Sequence, residues 1–229
     1  MLQREDLSMI RNISLEEISD GKLYELNDLV KADCNGCEGC FSCCQGMGNS
    51  IVLDPLDIYK LIKNLNKSME ELLKDRIELN VVDGIILPNL KMSGSEERCS
   101  FLNQEGRCSI HKFRPGICRL FPLGRYYENE SFKYFLQVHE CKKSNKTKVK
   151  VRKWIDTSDI KENEQFIIAW HYFLISIQDK IKQVPDRAKD INMYALGTFF
   201  LKPYNYNLDF YTQFHERLNE AKSIIASVV

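Results

Sequence analysis

The chain has 229 residues, 44% hydrophobic and 28% charged, which is enough apolar material to bury a core and too much for a disordered chain. Lys plus Arg and Asp plus Glu both number 32, so the net charge is zero, which argues against general binding to nucleic acid or an acidic membrane and leaves room for a protein partner or protein substrate. The longest apolar run, residues 167–177, is interrupted by His171 and is about half of a membrane span, and the charged start Met-Leu-Gln-Arg-Glu-Asp is unlike a secretory signal, so a cytoplasmic protein is expected.

Ser14 followed by Glu17 marks a first helix start. Residues 34–44 then carry five cysteines, with four glycines in and around them, and read as a loop wrapped on something. Asp54-Pro55-Leu56-Asp57 predicts a capped helix start, with Ile58, Leu61, Ile62 and Leu65 at helical spacing behind it. Ser68 and Glu71 form a capping box for a second helix, to about Arg76. Residues 77–92 predict a hairpin turning at Asp83-Gly84, and strand-like pieces recur at 99–102, 125–127 and 132–138.

Residues 142–153 hold seven basic side chains in twelve. The alternation of Val149 and Val151 predicts an edge strand with a solvated lysine face, and the segment lacks the aromatics that stack on nucleic-acid bases. Beyond Trp154 the pattern turns helical. Asp159 and Glu162 are expected to cap a long helix carrying Ile167, Trp170, Leu174, Ile177 and Ile181. A second helix is expected over 186–201, and a third over 208–226 with Tyr211, Phe214, Leu218, Ala221 and Ile225 on one stripe, all read as packing faces.

Nine cysteines in a chain without an export signal point to metal or redox chemistry rather than a disulfide scaffold. Cys34, Cys37, Cys40 and Cys44 have the C-x2-C-x2-C-x3-C spacing of a bacterial ferredoxin run, with Gln45 in place of its trailing proline. Cys37, Cys40, Cys43 and Cys44 form an overlapping C-x2-C-x2-C-C run. The first favours a four-iron cluster, and either serves a zinc site of four thiolates. Cys99, Cys108, Cys118 and Cys141 follow much later, and the fold is expected to bring both sets around one or two metal centres. Five of the eleven arginines (Arg98, Arg107, Arg114, Arg119 and Arg125) fall within 28 residues of net charge +5. Arg119, beside Cys118, is expected to neutralise the centre, with Arg114 and Arg107 as further cofactor contacts. His111 reads as a packing residue, and no nucleophile–base constellation is visible.

These motifs resemble the YkgJ-type cysteine-cluster family. The resemblance rests on Cys37-x2-Cys40-x2-Cys43-Cys44, on Gly106-Arg107-Cys108-Ser109-Ile110-His111, on Arg114-Pro115-Gly116-Ile117-Cys118-Arg119-Leu120-Phe121-Pro122, and on Cys141, covering roughly residues 34–141. It implies zinc or iron chelation by eight cysteines: Cys37, Cys40, Cys43, Cys44, Cys99, Cys108, Cys118 and Cys141. Cys34 is then the odd one out, with a substitute ligand role open to it. A more distant similarity to flagellin lysine N-methylase implies a four-iron cluster used with S-adenosylmethionine. The chain lacks a G-x-G-x-x-G loop, so that cofactor would have to bind at the cluster itself. The resulting expectation is an α+β protein: a small irregular metal-centred cysteine domain with short strands over 1–155, and a helical subdomain over 156–229. It binds metal, an iron–sulfur (4Fe-4S) cluster in preference to zinc. The alternatives are a cluster- and S-adenosylmethionine-dependent protein lysine N-methyltransferase and a zinc-stapled interaction module.

Overall fold

The computed structural model describes residues 15–34 and 40–229, so Ser14 and Cys37 lie outside the described residues. The first turn, α1 (Leu15–Ile18), leads into β1 (Ser19–Tyr24) and β2 (Leu29–Asp33). A 3-10 turn, Ser42–Cys44, carries two of the cysteines.

Both helix starts form as expected, and the Asp54 cap turns out to be a full capping box like that of Ser68. Helix α2 (Pro55–Leu65) starts with the Asp54 side chain accepting from the Asp57 amide and the Asp57 side chain accepting from the Asp54 amide. Helix α3 (Met69–Asp75) starts with the same exchange between Ser68 and Glu71. Strands β3 (Ile77–Val82) and β4 (Ile85–Leu90) make the expected hairpin, with Asp83 and Gly84 both at positive φ as a type I′ turn requires.

The elements that follow are short. They include β5 (Met92–Ser93), β6 (Arg98–Cys99), α4 (Gly116–Leu120), β7 (Leu123–Glu128), β8 (Ser131–Gln137) and β9 (Thr147–Lys150). Two of them carry a cysteine, β6 (Cys99) and α4 (Cys118). Pairing is antiparallel throughout the described residues: β1-β8-β7, β2-β9, β3-β4 and β5-β6.

The basic segment differs from its expected form. The strand ends at Lys150, and Val151 opens a short helix, α5 (Val151–Ile155). The cause is burial: Val151 is fully enclosed, and Trp154 Nε1 donates to the carbonyls of Leu120 and Phe121.

The C-terminal part is helical. Asp159 precedes α6 (Ile160–Gln183) but makes no side-chain cap, because its left-handed backbone (φ 50°) is not the extended conformation an N-cap needs. The single helix expected over 186–201 is divided into a 3-10 turn (Pro185–Arg187), α7 (Ala188–Leu196) and a π turn (Gly197–Leu201). The π turn buries both Phe199 and Phe200, and Arg217 donates to the carbonyls of Thr198, Lys202 and Pro203 around its end. Helix α8 (Phe210–Ser227) keeps the expected stripe, with Phe214, Leu218, Ala221 and Ile225 buried.

The protein is thus α+β, with small separate sheets and a helical C-terminal region. Its larger hydrophobic cluster joins α2, α3 and the β3–β4 hairpin to α6, α7 and α8. Leu53, Leu61 and Leu87 share it with Phe166, Phe199 and Phe214, so it draws on both sides of the expected 155/156 division. A smaller cluster gathers Val30, Leu120, Leu123, Tyr134, Val151 and Ile155. No helix among the described residues is long and apolar enough to cross a membrane.

Candidate metal centre

A cavity of about 840 Å³ is lined by members of the larger hydrophobic cluster, among them Ile51, Leu90 and Phe101, and by Leu123 of the smaller one. Among the described residues six thiols line it: Cys40, Cys43, Cys44, Cys99, Cys108 and Cys118. They come from four stretches of chain, and each stretch is fastened locally. The 40–44 segment is tied to the strand bearing Cys99 by the Gln45–Arg98 bridge and by the Gly46 amide donating to the Glu97 carbonyl (3.1 Å). Cys108 sits opposite Leu102 in a further bridge, and the Ser109 amide donates to the Phe101 carbonyl (2.8 Å). The turn before Cys108 closes on glycine for two reasons: Gly106 has φ +69°, and a Cβ there would lie 2.7 Å from the Phe41 ring.

Cys118 rides on the one-turn helix α4, which is held from α2. Asp57 Oδ1 accepts from the Gly116 amide at 2.8 Å, while its other oxygen accepts from the Asp54 amide at 3.2 Å. One buried carboxylate therefore closes the α2 cap and fixes the turn bearing a cavity thiol. The cap was readable from Asp54-Pro55-Leu56-Asp57; its second use, across 59 residues of chain, left no sequence signal.

The thiols perturb one another. A hydrogen bond shared with Cys44 lowers the Cys43 thiol to about 7, and the same bond, burial and the charges of Cys43, Cys99 and Cys108 push Cys44 up. Burial raises Cys99, Cys108 and Cys118, and in each case neighbouring thiols add to the rise. Such a set does not ionise together without a compensating cation, and soft thiolate donors select zinc, copper(I) or iron–sulfur clusters. Among the described residues, no group of three or more His, Cys, Asp or Glu side chains is drawn tightly enough to hold a single ion.

The expected arginines separate. Arg107 and Arg114 line the cavity, and the Arg114 charge lowers both Cys43 and Cys108. Arg119 does not have its expected place against the thiols. Its guanidinium donates to the carbonyls of Lys112 (2.8 Å) and Asp156 (3.0 Å) and stands 3.8 Å from the Asp156 carboxylate, clamping α4 between two loops. The reason is tertiary: the Lys112 and Asp156 carbonyls take up the Arg119 guanidinium, while Cys118, one residue earlier on α4, lines the cavity. His111 is exposed and contacts Arg114 Nη1 through Nε2 (3.2 Å) at the cavity rim. Cys34, at the end of β2, and Cys141, beside the lining residue Glu140, are not among the lining side chains.

Sequence reasoning missed the wall built by β7 and α6. There Tyr127 and His171 stack with ring centroids 3.5 Å apart and planes 10° apart, with Arg125 alongside. His171 was one of several scattered histidines in sequence; only packing of α6 on β7 gives it a partner.

A family comparison agrees with this geometry. The model of the CxxCxxCC family, described as "Putative zinc- or iron-chelating domain", matches residues 36–158, more than half of the 229 residues. The chain belongs to the CxxCxxCC family. Within the matched span lie all the lining cysteines, Cys141 and Cys37, whereas Cys34 precedes it. His171 and the rest of α6 fall outside it, whereas the β7 residues of that wall, Arg125 and Tyr127, lie within it. Neither a curated protein nor a solved structure matches the chain. Family membership and the thiol-lined cavity together support metal binding.

Proposed function

We propose that the CxxCxxCC segment holds an iron–sulfur cluster, with ligands drawn from Cys37, Cys40, Cys43, Cys44, Cys99, Cys108, Cys118 and Cys141. The observation that carries this reading is the gathering of six thiols, from chain segments up to 78 residues apart, on the wall of one cavity. Such a cluster would be held by these thiolates and would supply electron-transfer or Lewis-acid chemistry at the cavity. The protein's own part is to fix the thiols, offset their charge through Arg114, and keep the site beneath apolar walls.

A zinc staple fits less well. Structural zinc sites are closed by four protein ligands, whereas these thiols face a cavity of about 840 Å³, large enough for an organic ligand. That volume also supports a second reading, a cluster-dependent protein lysine methyltransferase using S-adenosylmethionine.

Anaerobic purification tests the first reading. Brown protein with iron and acid-labile sulfide is expected; colourless protein holding stoichiometric zinc overturns it. The methyltransferase reading further requires that the metal-loaded protein bind S-adenosylmethionine in a calorimetric titration, and no binding discards it.

A further inference from the structure

Arg125 occupies an unusual position for a cation. Its Nε is buried without a hydrogen-bond partner, and its guanidinium lies 5.4 Å from the Phe132 ring and beside the Tyr127 hydroxyl. No carboxylate comes within ion-pair distance of it among the described residues. The acids that feel its charge, Asp54 and Asp57, are spent on backbone amides, and burial pushes both upward, Asp54 to about 8. The guanidiniums felt by Cys43 and Cys108 are those of Arg114 and, at Cys108, Arg107, not that of Arg125.

Around Arg125 the wall is aromatic. Tyr127 stacks on His171, and Tyr172 meets Tyr127 edge-on (centroids 6.5 Å, planes 90°). Burial and Arg125 hold the His171 imidazole down at about 4, so it is neutral at pH 7 and adds no second charge. The cavity's volume is in the range of small-molecule sites, and the thiols occupy only one part of its lining.

We propose that the wall formed by β7 and α6 binds a small aryl carboxylate, its carboxylate on Arg125 and its ring against the Tyr127–His171 stack. A planar guanidinium suits a carboxylate, and a cation with no carboxylate in ion-pair range and a buried Nε left without a partner favours an anion over a neutral isostere. The proposal rests on the metal reading only in dividing the cavity into a thiol wall and a ligand wall.

The test is calorimetric titration of the anaerobically purified protein with 3-phenylpropionate and its neutral amide, 3-phenylpropanamide, with metal content measured for every variant. The acid is expected to bind at least tenfold more tightly than the amide. Arg125→Gln should abolish that difference with metal content unchanged, and His171→Leu should weaken both ligands. If Arg125→Gln does not fold, Arg125→Lys, which keeps the charge but loses the fork, should reduce the preference. Equal binding of acid and amide, or no binding of either, overturns the proposal. So does an acid preference that survives Arg125→Gln, which would place the carboxylate on the metal or on Arg114, or loss of metal in that variant, which would make Arg125 part of the metal centre. Zinc in place of iron and sulfide, with an acid preference that follows Arg125, would sink the iron–sulfur reading and leave this one standing.

Discussion

Cys43 and Cys44 share a hydrogen bond inside a cavity that also holds Cys99, Cys108 and Cys118, so their thiolates are stable together only when a proton or a metal offsets the charge. Removing one such ligand should cost both metal and folding free energy, because the site is built from distant segments. Cys43→Ser is expected to lose metal and to lower the melting temperature, while Cys34→Ser, outside the cavity lining, should leave both near wild type. Metal analysis with thermal unfolding checks this, and equal losses would restore the grouping of Cys34 with Cys37, Cys40 and Cys44. The arginines give a second contrast. Arg114→Gln removes the charge felt by Cys43 and Cys108 and should loosen metal during chelator challenge. Arg119→Gln leaves the Lys112 and Asp156 carbonyls without their donor, so its expected defect is a lower melting temperature with metal retention much closer to wild type.

At the scale of elements, the two capping boxes look alike in sequence and do different work. The Ser68–Glu71 box closes only α3, at an exposed position, and Ser68→Ala should cost about 1 kcal/mol with no effect on metal. Asp57 closes α2 and also receives the Gly116 amide ahead of Cys118. Asp57→Ala removes a cap partner and leaves a buried N–H unsatisfied, so a cost of about 2–4 kcal/mol is expected together with weaker metal retention. Denaturant unfolding and chelator competition on the two variants separate the roles; matching metal retention would show that the α2–α4 tie does not position Cys118. The same distinction explains what was readable here. The caps of α2 and α3, the Asp83-Gly84 turn and the α8 stripe follow from neighbours within four residues, whereas the expected Asp159 cap of α6 is lost to a left-handed backbone. The end of β9 at Lys150 and the π turn at Gly197–Leu201 were not readable, because each is set by what the chain packs against: the smaller cluster around Val151 in one case, Arg217 and two phenylalanines in the other.

Across the whole molecule, the larger hydrophobic cluster makes the helical region a structural partner of the β3–β4 hairpin and α2. Phe214, fully buried in α8, contacts the rings of Phe166, Trp170 and Phe199. Phe214→Ala should therefore cost about 3–5 kcal/mol, and the loss should appear in hydrogen-exchange protection of the hairpin as well as of α6. Loss of protection confined to the helices would instead mark residues 156–229 as an independent unit.

The sequence by itself determined the local elements and the donor chemistry: capped helices, the hairpin, the helical stripes, and a cysteine set whose soft sulfur selects its metals and whose motifs carry the family. These depend on spacing along the chain, where hydrogen bonds and side-chain periodicity act over a few residues. Tertiary structure alone decided which cysteines share one cavity, that Arg114 and not Arg119 faces them, that Asp57 reaches Gly116, and that His171 completes a wall with Tyr127 and Arg125. Those outcomes turn on the direction of single side chains after distant segments have packed: the Asp156 and Lys112 carbonyls, brought to α4 by the fold, draw the Arg119 guanidinium to themselves.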